Sequence, residues 1–285
     1  MRRLLVPTLC GLVGLLLLSP PHAYALTESI YDDFESGLIN PDKWYGGQGD
    51  PGADTPTAEV ARLIIPTPQN PTNHALALVQ FAYGSTADNV GLAPGNTTRL
   101  RLSQNPNAIV LLQADVTIQS VLTQPSAANM NNGPRARAQL HGAFFNDGTS
   151  SGPGDETGDI FATIQMVQDS LTGLQTIEAF FSRCTDSECN NSTTTNAPAF
   201  TTTWAVGETH TLVAWWDPAN KRFIFVVDPF GPAPEAHGLG YTFATTNVPG
   251  FGLKELRVRS TGANCTAGRT LSAIFATFDN VVIGQ

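Results

Sequence analysis

Nine stretches of the chain alternate apolar and polar residues or run wholly apolar: "LALVQFAY", "IVLLQADVTI", "RARAQLHGAFF", "DIFATIQMV", "LQTIEAFFSR", "HTLVAWWD", "KRFIFVVD", "KELRVRS" and "LSAIFATFDNVVI". Their period is two and they are rich in β-branched and aromatic residues, so each is expected to form a strand. Between them lie "PTPQNPTN", "SAANMNNGP", "NDGTSSGPGDETGD" and "NNSTTTNAPAFTTT", segments with turn chemistry and little apolar surface of their own. No segment offers a capped amphipathic helix of more than a turn or two. The spacing therefore predicts an all-β sandwich of roughly a dozen strands.

Two hairpins can be drawn. Asp159 to Gln168 should turn through "DSLTG" into Leu174 to Arg183, and His210 to Trp216 through "DPANK" into Arg222 to Asp228. In the second, Leu212, Ala214 and Trp216 share one face, with Val213 and Trp215 on the other. A tryptophan in a groove stacks on sugar rings, so Trp215 is a candidate ligand contact as well as a partly covered structural residue.

The N-terminus changes the picture of where the protein works. "MRRLLVPTLCGLVGLLLLSPPHAYA" has two arginines, an apolar run, prolines and a small-x-small site ending at Ala25, the pattern of an export signal. The run from Leu4 to Leu18 is too short for a bilayer core of about 30 Å. Residues 1–25 are thus expected to be removed, leaving one domain over residues 26–285, secreted or periplasmic, monomeric and without membrane insertion. Loss of Arg2 and Arg3 lowers the basic residues from 15 to 13 against 24 acids and moves the net charge from −9 to −11. Such a surface repels phosphate backbones, which argues against nucleic acid and leaves neutral glycans, cations and basic partners. Cys184 and Cys189 close the short loop "CTDSEC" and favour a local disulfide, worth about 2 kcal/mol in the chain-entropy model. Pairing of Cys265 with either remains open.

The opening "YDDFESGLINPDKW" (31–44), the late "GETHTLVAWWDPANKRFIFVVD" (207–228) and the closing "AIFATFDNVVIG" (273–284) together resemble the concanavalin A-like jelly rolls. That superfamily, two stacked and curved antiparallel sheets, includes laminin-G-like domains, legume-type lectins and laminarinase-type glycoside hydrolases. The resemblance covers the two ends and one hairpin, and the middle only by strand pattern. It implies that first and last strands lie together, with Phe34, Trp44 and Phe278 in the core. It also implies a structural calcium site of hard oxygen ligands, carried over to Asp33, to the carbonyl of Gly37 and to Asp279. The alternative is that these carboxylates cap turns or face solvent.

No catalytic motif accompanies the resemblance. Retaining laminarinase-type enzymes place Glu-x-Asp-x-x-Glu on one strand, since nucleophile and acid/base must face each other about 5 Å apart. No strand here carries it, and Glu178, alone on its strand, makes only a weak pair with Asp159 across the first hairpin. Nor is there a nucleophile elbow, a zinc-binding His-Glu-x-x-His or a phosphate loop. One polar stripe stands out. In "RARAQLHGAFF", Arg135, Arg137, Gln139 and His141 alternate with small apolar residues, offering donors suited to sugar hydroxyls or the carboxylates of uronic-acid glycans if that face is concave. Polyuronate lyases of similar architecture use Arg, Gln and His on neighbouring strands, but also a tyrosine, which this stripe lacks. The expectation is a non-catalytic module that binds carbohydrate or an extracellular polymer. A glycoside hydrolase or polysaccharide lyase of the same fold, and a structural or adhesion domain, are the alternatives.

Overall fold

The computed structural model describes residues 26–45, 58–68, 70–92, 95–103, 106–131, 133–150, 152, 154–242, 247–250 and 252–285. The expected signal segment, residues 1–25, lies outside them.

Fifteen strands and one short 3-10 turn (Pro106–Ala108) make up the regular structure of the described residues. The strands are β1 Glu28–Asp32, β2 Trp44–Tyr45, β3 Ala58–Thr67, β4 Asn70–Tyr83, β5 Asn96–Leu102, β6 Leu111–Thr123, β7 Arg135–Asn146 and β8 Asp159–Asp169. They continue as β9 Gln175–Cys184, β10 Ser192–Asn196, β11 Thr209–Asp217, β12 Arg222–Val227, β13 Glu235–Gly240, β14 Lys254–Ser260 and β15 Leu271–Gly284. They form two antiparallel sheets. One has eight strands in the order β13-β12-β11-β6-β15-β4-β3, with β1 also paired to β15. The other has seven, in the order β10-β9-β8-β7-β14-β5-β2. The fold is the expected all-β jelly-roll sandwich of two antiparallel sheets.

Period-two alternation explains why the sheets stack, because along the central strands every second side chain is apolar and turned inward. From the seven-stranded sheet come Ala136, Ala138 and Leu140 of β7, Ile160, Ala162 and Ile164 of β8, and Leu256 and Val258 of β14. From the other sheet come Leu212, Ala214 and Trp216 of β11, Phe223 and Phe225 of β12, and Ile274, Ala276 and Phe278 of β15. Full burial of each large apolar side chain contributes roughly 1.5–3 kcal/mol.

The two ends meet as expected. Strand β1 pairs antiparallel with β15, Glu28 opposite Gly284. Phe34, Trp44 and Phe278 are all buried in one core cluster. Phe34 takes a positive φ of 55°, costly for a bulky residue, and it stacks on Trp44 with ring centroids 5.6 Å apart. Asp32, buried beneath them, accepts hydrogen bonds from Trp44 Nε1 (2.6 Å) and from the Phe34 N–H (3.0 Å). The aromatic and acidic opening is thus a clasp that closes the sandwich.

Two segments read as loops contain strand. "PTPQNPTN" supplies the ends of the β3–β4 hairpin, with Pro66 tolerated where the register shifts. "NNSTTTNAPAFTTT" supplies β10, whose exposed threonines suit the sheet edge they occupy. Both hairpins drawn from the sequence form, as β8–β9 and β11–β12.

Candidate functional site

The outer face of the seven-stranded sheet carries a groove of about 530 Å³. Cross-strand partners share a face, so the register fixes what points into it. On β7 these are Arg135, Arg137, Gln139 and His141, the stripe singled out in the sequence, and all four line the groove. Arg137 lies opposite Arg259 of β14, and Gln139 lies between Arg257 of β14 and Gln165 of β8. One strand further out, Arg99 and Arg101 of β5 pair with Arg257 and Glu255. Six arginines therefore share one sheet face in a chain with 15 basic and 24 acidic residues.

A hydrogen-bond relay crosses the groove floor over four strands. Glu255, buried, accepts from Arg257 (3.0 Å), and Arg257 Nε donates to Gln139 Oε1 (2.6 Å). Gln139 Nε2 donates to Gln165 Oε1, and Gln165 Nε2 donates to Glu178 Oε2 (2.8 Å). Glu178 also accepts from Arg135, whose Nε lies 3.2 Å from Asp169. With a guanidinium at one end and a carboxylate at the other, only one orientation of the two amides satisfies every bond. The relay locks Arg135, Gln139 and Arg257 into the floor.

Arg137 and Arg259 stay outside the relay. Neither makes an ion pair or hydrogen bond among the described residues, although the Glu178 charge reaches Arg137, and Arg259 Nε is buried without a partner. Burial, and then the charges of Arg135 and Arg259, pull the Arg137 guanidinium down to about 10. Like charges placed opposite one another are destabilising. An anion lying between these two would remove that penalty and receive two forked donors.

His141 has a different environment. Its Nδ1 is 2.8 Å from Thr163 Oγ1 and its ring stacks on Phe161, centroids 5.3 Å apart. Burial, and next the charge of Arg257, hold its pKa well below the ordinary value, so the ring is neutral near pH 7. Phe161 and Phe180 add apolar surface to the groove wall.

Trp215, the other candidate ligand contact, does not line this groove. It is half-buried on β11 of the other sheet, opposite Leu111 and Ile224, and points outward because its neighbour Trp216 fills the core. Asp159 and Glu178 do not form a pair either. Asp159 is buried at the far end of β8, accepting from Asn146 Nδ2 (2.7 Å) and the Gly250 N–H (2.9 Å).

The residues expected to hold calcium are engaged separately. Asp33 is exposed, and its carboxylate accepts the Glu35 N–H (3.3 Å). Gly37, at φ 70°, closes a turn by donating its N–H to the Phe34 carbonyl (3.0 Å). Asp279 accepts from Asn73 Nδ2 (2.8 Å) and the Asn280 N–H (2.7 Å) on the outer face of the eight-stranded sheet. It lines a depression of about 260 Å³ with Asp115, which Asp33 and Gly37 do not line.

Cys184 and Cys189 are disulfide-bonded, and Cys265 is free and buried. Within their loop the Asp186 carboxylate accepts the N–H groups of Glu188 (3.2 Å), Asn190 (2.8 Å) and Asn191 (2.8 Å). Those bonds, with that of Asn190 foremost, lower its pKa. Cys189 borders the groove, so the bridge fixes one of its walls.

The sequence matches no family model and no curated protein. Among solved structures, the chain is similar to an alginate lyase from Klebsiella pneumoniae, with a TM-score of 0.40 and 12% identity over 77% of this chain and 83% of that one. It is similar to a beta-1,3-glucanase from Mycobacterium marinum, with a TM-score of 0.37 and 11% identity over 94% of this chain and 100% of that one. Peanut lectin gives a TM-score of 0.37 and 7% identity over 85% of this chain and 99% of that one. At such identities and scores the likeness says nothing of what the groove holds.

Proposed function

We propose that the protein is an exported carbohydrate-binding module that holds a carboxylated glycan in the arginine-lined groove without cleaving it. The observation that carries this reading is the pair Arg137 and Arg259, adjacent across β7 and β14 and without a carboxylate partner among the described residues. Guanidinium forks match carboxylates in shape and charge, and Phe161 and Phe180 offer faces for the apolar side of a sugar ring. The acidic remainder of the molecule disfavours a nucleic-acid backbone, whose phosphates would meet repulsion beyond the groove.

The chemistry of the groove favours holding over cutting. Retaining hydrolysis requires two facing carboxylates, and Glu178, the only carboxylate lining the groove among the described residues, is occupied by Arg135 and Gln165. Elimination from a uronate requires a base at C5 and an acid at the departing oxygen. Neutral His141 suits the first role, but no tyrosine lines the groove among the described residues to serve the second.

The test is affinity electrophoresis on gels containing a polyuronate, a neutral β-glucan or no polymer, with parallel assays for reducing ends and unsaturated uronate products. Retardation by the polyuronate alone, without product, is expected. Release of unsaturated product would establish a lyase instead, and equal mobility in all three gels would leave the groove without this ligand.

A further inference from the structure

We infer that the groove continues into a second subsite that receives an O-acyl substituent of the bound glycan, an inference that rests on the reading just given. A neighbouring pocket of about 370 Å³ shares Arg135, Glu178 and Asn196 with the groove. It exists because the sheet edge is interrupted. Strand β10 ends at Asn196 opposite Phe180, and the chain returns to the edge of β9 only where Thr203 bridges Thr176. Past Ala197, which still bonds β9, the residues Pro198, Ala199 and Phe200 leave the edge and with Ala197 wall a hollow.

This wall is built rather than loose. The Ala197 N–H donates to the Ala179 carbonyl (2.8 Å), and the N–H groups of Thr201 and Thr202 both bond Glu235 (2.8 and 2.9 Å). Phe200 is buried and packs edge-on to His237, centroids 4.5 Å apart.

The two compartments differ in chemistry. The groove is lined mainly by guanidinium, amide and hydroxyl groups, with Phe161 and Phe180 on its wall, whereas the pocket adds the aliphatic surface of Ile177, Ala197, Pro198 and Ala199; Arg135, Glu178 and Asn196 form the shared rim, with Arg135 and Asn196 as its donors. A glycan whose carboxylate lies between Arg137 and Arg259 can extend past the rim into the pocket. A bare hydroxyl there leaves the apolar wall wet, while a carboxylate loses solvation without gaining a new cation. An acyl ester supplies both a carbonyl for the rim donors and a small apolar group for the wall.

The experiment compares one polyuronate, chemically O-acetylated, with the same lot after saponification, in calorimetric titrations of the full chain. The acetylated polymer is expected to bind about fourfold more tightly, the factor that follows from burying one methyl group. Ala199→Trp, at an exposed wall position, should bring the two affinities together while leaving that for the saponified polymer within about twofold. Asn196→Ala should reduce the preference without filling the pocket, which covers the case of a tryptophan variant that does not fold. Equal affinities in the unaltered protein, or equal weakening of both polymers by Ala199→Trp, would overturn the subsite and leave the groove reading intact. Failure of both polymers to bind would overturn the groove reading, and this inference with it.

Discussion

The outer faces of the two sheets are built on the same alternation and carry opposite chemistry. On the eight-stranded sheet the polar positions are acids and hydroxyls that satisfy one another. Asp115 accepts from Thr211 Oγ1 (2.5 Å) and Asn280 Nδ2 (2.9 Å), while Asp279 accepts from Asn73. On the seven-stranded sheet six of the positions are arginines, and two of them, Arg137 and Arg259, make no ion pair among the described residues. On the first face the like charges that lie opposite each other are Asp115 and Asp279, and burial, then the charges of Asp115 and Glu35, raise the Asp279 pKa while neutral donors bond both acids. On the second the like charges are guanidinium groups, and the deficit is of negative charge.

The largest expected effect follows from removing that deficit. Replacing Arg137 and Arg259 together by alanine should weaken polyuronate binding by on the order of a hundredfold, since each loses charge-assisted hydrogen bonds. A melting temperature equal to or above the unaltered protein's is expected as well, because the pair repels. Affinity electrophoresis with a thermal melt reads both, and retained binding would erase the contrast between the faces. Gln165→Leu should act next in size, breaking the relay and leaving Gln139 and Glu178 short of partners. Binding should fall about tenfold and stability by about 1–3 kcal/mol, measured by titration and by urea unfolding.

Beneath the groove, burial of Lys254 against the Phe144 ring, 4.2 Å from its Nζ, lowers its pKa to about 7. Between about pH 7 and the unfolded value near 10.5, the unfolded chain holds a proton that the folded protein does not. Stability should therefore rise with pH across that window and lose this contribution as pH falls through 7. Lys254→Met should flatten the rise, as read by urea midpoints at neutral and alkaline pH.

The smallest effects belong to the acidic face. Asp115→Asn should leave polyuronate affinity within about twofold, and a larger loss would show the two faces to be coupled. Calcium held at Asp33, Gly37 and Asp279 would make a chelator lower the melting temperature, because a ligand of the folded state stabilises it; an unshifted melting curve would remove that site.

The sandwich and its closure were legible because alternation is local and because the aromatic clusters at the two ends have few other places to go. The stripe on β7 was legible for the same reason. Its partners were not, since Arg257, Arg259 and Gln165 reach the groove through strand order, and a strand's sequence does not name its neighbours. A signal was present in "KELRVRS" and "TRLRL", which repeat the basic alternation of "RARAQ". Trp215 shows the converse. Its alternation placed it correctly opposite Trp216 in direction, yet nothing local told which sheet would carry it.

Strands β1 and β15 run antiparallel with the Thr27 N–H bonded to the Gln285 carbonyl (3.2 Å), so Thr27 and Gln285 sit at one end of the same ladder. Tension applied between these two residues would therefore load its bonds one after another, as in opening a zipper, instead of shearing them at once. Such pulling should strip β1 at low force and uncover the Trp44 clasp before the groove is disturbed.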